Sequence, residues 1–128
     1  MAEAIVIPEA ANYRVAARIR QHTAVLDEPE EKGGKDTAPT PTEMVCAALA
    51  ACTAITLQMY LQHKKWDVKV ASVMVHYETT SGAPTFRREV KLQGANEQQV
   101  PRLTAVANSC PVHKMLSAAN TIQTTVLN

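Results

Sequence analysis

The sequence predicts an α+β fold. Three observations lead there. Apolar and basic residues alternate with a period of two in the first third of the chain; residues 44–61 form an uncharged, Ala-rich run; and β-branched residues return over 68–79, ahead of two shorter helical stretches. Tyr13, Val15, Ala17 and Ile19 alternate with Arg14, Ala16, Arg18 and Arg20, which predicts a strand with one core face and one basic face. Thr23 to Leu26 supplies a partner strand. Pro29 to Pro39 collects turn formers and charges, so it is read as a loop. Its length fits a lid, a partner contact or a plain connector.

Thr40-Pro41-Thr42-Glu43 predicts a helix start, with Thr40 as N-cap, Pro41 at the first helical position and Glu43 closing a capping box. Nothing breaks that helix before about Lys64. At 100° per residue, Val45, Ala48, Leu49, Cys52, Ile55, Thr56 and Met59 share one stripe, and Ala47, Ala50, Ala51 and Ala54 fill much of the rest. A helix this apolar needs cover on several sides, which one small domain supplies poorly. Strands follow near 69–79 and 85–92, separated by Gly82-Ala83-Pro84. A helix is expected over 96–108, another from Ser109-Cys110-Pro111 to Ala119, and a terminal strand over 121–127.

At 128 residues the chain is expected to be one domain. A net charge of +1 creates no field for a polyanion, and one Phe, one Trp and three Tyr build no stacking platform, so no nucleic-acid partner is expected. The N-terminus lacks a basic region followed by a long apolar one. The run over 44–61 barely reaches the length of a membrane span and holds Thr53, Thr56, Gln58 and Tyr60, so it reads as a buried helix and no membrane partner is expected. An odd count of three cysteines fits a reduced, cytoplasmic compartment.

The cysteines are the residues most able to carry chemistry. Cys110 lies in Ser109-Cys110-Pro111-Val112-His113-Lys114, where unpaired backbone N–H groups at a helix start favour a thiolate; a small buried thiol beside a capping proline is the other reading. Cys52 sits on the apolar stripe, where burial raises a thiol pKa unless a cation lies close, and by itself reads as a core cysteine. Cys46 is six residues earlier, about 240° around the helix, and reads as structural. Cys110-x-x-His113 has two-ligand spacing, but no second pair matches it, and His22, His63 and His76 are scattered singly, so neither a metal nor a cofactor is expected. No phosphate-cradling Gly-rich loop or nucleophile elbow is present.

Residues 40–53, Thr40-Pro41-Thr42-Glu43 through Cys52-Thr53, resemble the central helix of the OsmC/Ohr family (osmotically inducible protein C and organic hydroperoxide resistance protein), and the segment from Ser109 to Lys114 resembles its second cysteine motif. His22, Asp27-Glu28-Pro29 and Gly33-Gly34-Lys35-Asp36 resemble the OsmC-like branch. The resemblance implies an OsmC-like fold over 1–128, an intertwined homodimer with β-sheets wrapped around two long central helices. It implies a thiol peroxidase for organic hydroperoxides in which Cys52 becomes a sulfenic acid, Cys110 condenses with it into a disulfide, and a dithiol such as dihydrolipoamide restores both. Val45, Leu49, Ile55 and Met59 then receive the alkyl tail, and Arg14, Arg18 or Arg20 is the candidate thiolate-stabilising cation. The family's Ohr-type helices carry a glutamate directly after the proline. Here Thr42 stands there and Glu43 is one step later, about 180° from Cys52. The alternative is a non-enzymatic OsmC-like stress protein that binds a small apolar ligand or senses redox state through the same cysteines.

Overall fold

The computed structural model describes residues 1–80 and 82–128. The chain divides into two compact units, Met1–Val45 and Cys46–Asn128. In the first, β1 (Ile5–Pro8), β2 (Val15–Ile19) and β3 (His22–Leu26) pair antiparallel in that order. Ala17 is the buried residue of β2, as the alternation predicts, with Val15 half-buried beside it. Arg20 departs from the expected strand. It sits in the two-residue turn between Ile19 and His22 at φ 58°, because a tight hairpin turn needs positive φ.

The 29–39 loop is pinned from below. Asp27 is 1% exposed, and its carboxylate accepts from the Thr37 hydroxyl (2.6 Å) and the N–H groups of Thr37 (3.0 Å), Glu28 (2.7 Å) and Tyr13 (3.2 Å). Led by the Thr37 hydroxyl, these donors outweigh burial and hold the carboxyl well below the usual carboxylate range. Gly34 passes so close to the Glu28 carbonyl that a Cβ there would collide with it.

Helix α1 (Pro41–Lys64) starts as its sequence predicts. The Thr40 hydroxyl accepts from the Glu43 N–H at 3.1 Å, and the Glu43 carboxylate accepts from the Thr40 N–H at 2.8 Å. It ends in a Schellman motif: Lys65 turns left-handed at φ 57°, and the Trp66 N–H reaches the Leu61 carbonyl at 3.1 Å.

In the second unit a long hairpin, β4 (Lys69–Glu78) and β5 (Thr85–Gln93), carries a bulge between Val70 and Ser72. Then come α2 (Gln99–Ala107) and α3 (Pro111–Ser117). Leu57, Leu61, Val68, Leu103 and Ala107 form the core, with Trp66, Val90 and Leu92 packed against it. α2 begins later than Asn96 because that side chain caps from outside, accepting from the N–H groups of Gln98 and Gln99 at 3.0 and 2.8 Å. α3 stops at Ser117, short of Ala119.

Two expectations are corrected. The buried stripe of α1 is Leu49, Thr53, Leu57 and Leu61, one residue every fourth position, whereas Ile55 and Met59 are 51% and 66% exposed. With apolar residues all round, α1 has no polar face to fix its rotation, so periodicity could not choose the side that packs. Residues 121–127 form no strand; Ile122, Val126 and Leu127 are almost fully exposed, because alternation supplies no ladder partner by itself. α1 is the one helix among the described residues long and apolar enough to cross a membrane.

Candidate active site

Three elements of the second unit converge on one sulfur. Cys110 is fully buried, and it is the N-cap of α3: its Sγ accepts from the His113 N–H at 3.4 Å, with Pro111 at the first helical position. The thiol is thus part of the backbone's own hydrogen bonding, in a role usually filled by serine or aspartate. From α1, the Thr53 hydroxyl lies 3.7 Å from the same sulfur, and Cys52 is the residue next to Thr53 on that helix. From β5 comes Arg88.

The Arg88 guanidinium donates through Nη1 to the Thr53 hydroxyl at 3.0 Å. Its Nη2 donates to Asn108 Oδ1 at 2.7 Å and contacts His113 Nδ1 at 3.0 Å. Ion pairs among the described residues join Arg14 to Glu9 and Arg87 to Glu78, and none involves Arg88. Its charge is therefore held by neutral acceptors and left for an anion at the site. Burial alone would push the Cys110 thiol up. The His113 N–H, the Thr53 hydroxyl, the Cys52 thiol and the Arg88 charge outweigh it and hold the thiol below its ordinary value.

Thr53 has a single proton, and in the thiol form it is committed to the Leu49 carbonyl at 2.7 Å. A protonated Cys110 then donates to the Thr53 oxygen, which also accepts from Arg88. When Cys110 ionises, the hydroxyl can rotate onto the sulfur at little cost, since a helical carbonyl already receives its backbone N–H partner.

Cys52 is half-buried where Cys110 is enclosed, and Cys46 is a separate half-buried free thiol on α1. Of the four expected tail residues, Leu49 is 4% exposed and lines a cavity of about 280 Å³ with Phe86, Leu116, Arg88 and His113. Val45, Ile55 and Met59 are exposed. Arg14 donates to Glu9 and Thr37 inside the first unit, Arg18 is an exposed residue of β2, and Arg20 occupies its hairpin turn. Glu43 is engaged in the capping box. Among the described residues no group of three His, Cys, Asp or Glu side chains can hold a metal.

Sequence reasoning passed over Arg88, yet a signal was present. Along β5, Phe86, Arg88, Val90 and Leu92 share the half-buried phase while Arg87, Glu89 and Lys91 are exposed. An arginine in the apolar phase of a strand needs an internal partner.

Comparison with known proteins agrees with this architecture. Similar solved structures include a Psychrobacter arcticus protein described as an osmotic stress induced and detoxification response protein (22% identity, covering 90% of this chain and 88% of that one, TM-score 0.67). They include an OsmC like protein from Mycoplasma pneumoniae (17%, 91% and 86%, TM-score 0.65). A third is an organic hydroperoxide resistance protein OsmC from Legionella pneumophila (23%, 91% and 89%, TM-score 0.59). No curated protein matches significantly. The family model for OsmC-like protein matches residues 33–125, and the chain belongs to the OsmC-like family.

Proposed function

We propose that the chain is a cysteine-based thiol peroxidase for organic hydroperoxides, acting as one OsmC-like domain over residues 1–128. The observation that carries the reading is the enclosed Cys110 thiol, capped by the His113 N–H and held near a guanidinium with no carboxylate partner among the described residues, with the half-buried Cys52 next to Thr53 on α1. Family membership supports it, as does the likeness to an organic hydroperoxide resistance protein.

Cys52 is the thiol that an oxidant reaches. Cys52 gives its proton to the Cys110 thiolate, and its sulfur attacks the distal peroxide oxygen. The O–O bond breaks, the departing alkoxide takes that proton from Cys110 and leaves as the alcohol, and Cys52 becomes a sulfenic acid. The Cys110 thiolate then attacks that sulfur, forming the disulfide, and the hydroxide released takes a proton from solvent to leave as water. A dithiol of the dihydrolipoamide type reduces the disulfide by two thiol–disulfide exchanges and closes into its own disulfide. Arg88 takes the cation role, in place of Arg14, Arg18 or Arg20, by stabilising the thiolate and the departing alkoxide. The wall formed by Leu49, Phe86 and Leu116 suits an alkyl tail.

The protein acts in the cytoplasm as a homodimer, without nucleic acid or membrane partners. Ile55 and Met59 on α1, Ile5 and Val6 on β1 and the apolar C-terminal residues expose large apolar side chains, which suits cover by a second copy. Ile55 and Met59 are accordingly read as interface residues.

The capture of Glu43 by the helix cap leaves no acid for Arg88 and favours a second reading, a redox sensor or small-ligand binder built on the same thiols. One experiment separates them. Reduced protein is treated with one equivalent of cumene hydroperoxide, with hydrogen peroxide alongside, and examined by intact mass and free-thiol count. Loss of two thiols, with Cys52 and Cys110 in one cross-linked peptide and turnover on added dithiol, is expected. The pair forming without turnover selects the sensor. Three intact thiols overturn both redox readings.

A further inference from the structure

The Asn108–His113 segment supplies more than a sulfur. Arg88 is permanently protonated and its nitrogens are donors only, so at 3.0 Å His113 Nδ1 must offer its lone pair and the ring must carry its proton on Nε2. The Asn108 amide oxygen takes another Nη2 proton at 2.7 Å. These two acceptors flank Cys110 in sequence, two residues before it and three after, and both reach across to β5. The third acceptor, the Thr53 hydroxyl, is the group that also faces the sulfur. No carboxylate of the described residues competes for the guanidinium.

We propose that His113 is the positioning residue of this site: its Nδ1 lone pair, with the Asn108 amide oxygen, fixes the Arg88 guanidinium over the Cys110–Thr53 contact. His113 does not touch the reacting atoms through its ring. Its backbone N–H caps the Cys110 sulfur, and this contribution survives any change of side chain. An effect of substitution therefore belongs to the ring. Without the acceptor, Nη2 keeps only the exposed Asn108 oxygen and the guanidinium swings toward solvent, taking its charge from the thiols. The chemistry requires an sp² acceptor at that point, which asparagine supplies and leucine lacks. The consequence for turnover rests on the peroxidase reading, whereas the placement of Arg88 does not, so the test reads thiol ionisation.

Thiolate absorbance near 240 nm is titrated across pH in reduced protein carrying Cys46→Ser and Cys52→Ser, so that it reads the enclosed Cys110, and is compared between this parent and the same chain with His113→Leu or His113→Asn. His113→Leu is expected to raise the midpoint by about one pH unit, up to about tenfold less thiolate near neutrality. His113→Asn is expected to stay within about twofold of the parent. A Leu variant that titrates like the parent, or an Asn variant shifted as far as the Leu variant, overturns the proposal. If His113→Leu does not fold, the wild-type ¹⁵N spectrum decides. An Nε2–H tautomer of His113 supports the proposal, and an Nδ1–H tautomer refutes it.

Discussion

Replacing Arg88 by methionine removes the guanidinium charge from the thiol site while keeping most of the apolar stem along β5. The legs from Arg88 Nη1 to the Thr53 hydroxyl and from that oxygen to Cys110 Sγ are 3.0 and 3.7 Å, so the nitrogen lies no more than about 6.7 Å from the sulfur. At that separation a unit pair is worth about 2.5 kcal/mol with an effective dielectric near 20, and about 0.6 kcal/mol in bulk water. Arg88 is half-buried, which places the interaction between these limits, at roughly 1–2 kcal/mol, or about one pK unit. The Cys110 thiolate is therefore expected to form about one pH unit higher in Arg88→Met, measured by absorbance near 240 nm and by peptide-resolved alkylation.

The sign for stability follows from the same shift. Ionisation is easier in the folded chain, so the thiolate contributes stability above the unfolded thiol's titration and loses it as pH falls through the folded one. Arg88→Met should flatten this dependence in denaturant titrations on the alkaline side of neutrality. A midpoint moved by less than about 0.3 unit, which the bulk-water limit already exceeds, would refute the assignment of Arg88 as the thiolate's cation.

Asp27→Asn should speed amide exchange across residues 28–37 at neutral pH. In wild type the same loosening appears only as pH falls below the unfolded carboxyl's titration near 4, since the depressed carboxylate stabilises the fold above that value; equal exchange in both proteins at neutral pH would show that the clip is idle. Thr40→Ala should cost about 1 kcal/mol in chemical denaturation through loss of one arm of the capping box. Leu57→Ala, at 1% exposure in the centre of the core, should cost about 2–5 kcal/mol, and a loss below 1 kcal/mol would contradict the packing described. Met59→Glu places a charge on the exposed apolar side of α1 and should shift sedimentation at micromolar concentration from dimer toward monomer; an unchanged profile argues against that side as the interface.

Local chemistry was legible wherever a neighbour in sequence supplies the partner. The α1 capping box joins Thr40 to Glu43, three residues apart, and the α3 cap joins Cys110 to His113 at the same spacing. The alternation over 13–20 holds in part: Ala17 is buried and Arg18 exposed, as the pleat assigns them, while Tyr13 and Ile19 of the expected core face are exposed. So the sequence alone announces the α+β order, the starts of α1 and α3, and the place of Cys110 at a helix N-terminus.

Tertiary structure decided what needs a partner distant in the chain. Which stripe of α1 packs was undetermined, since Ala, Ile, Met and Leu spread around the helix leave it no polar face and no preferred rotation until β5 and α2 arrive. The 121–127 stretch is rich in β-branched residues yet finds no ladder. The cation of the site was sought among the three arginines of residues 13–20, while the guanidinium beside Cys110 is Arg88, 35 residues from Thr53 and 25 from His113. Composition and periodicity register what each residue prefers. A thiolate's partner is set by a distance of a few ångströms, and only the packing of β5 against the middle of α1 and the start of α3 brings that charge within range.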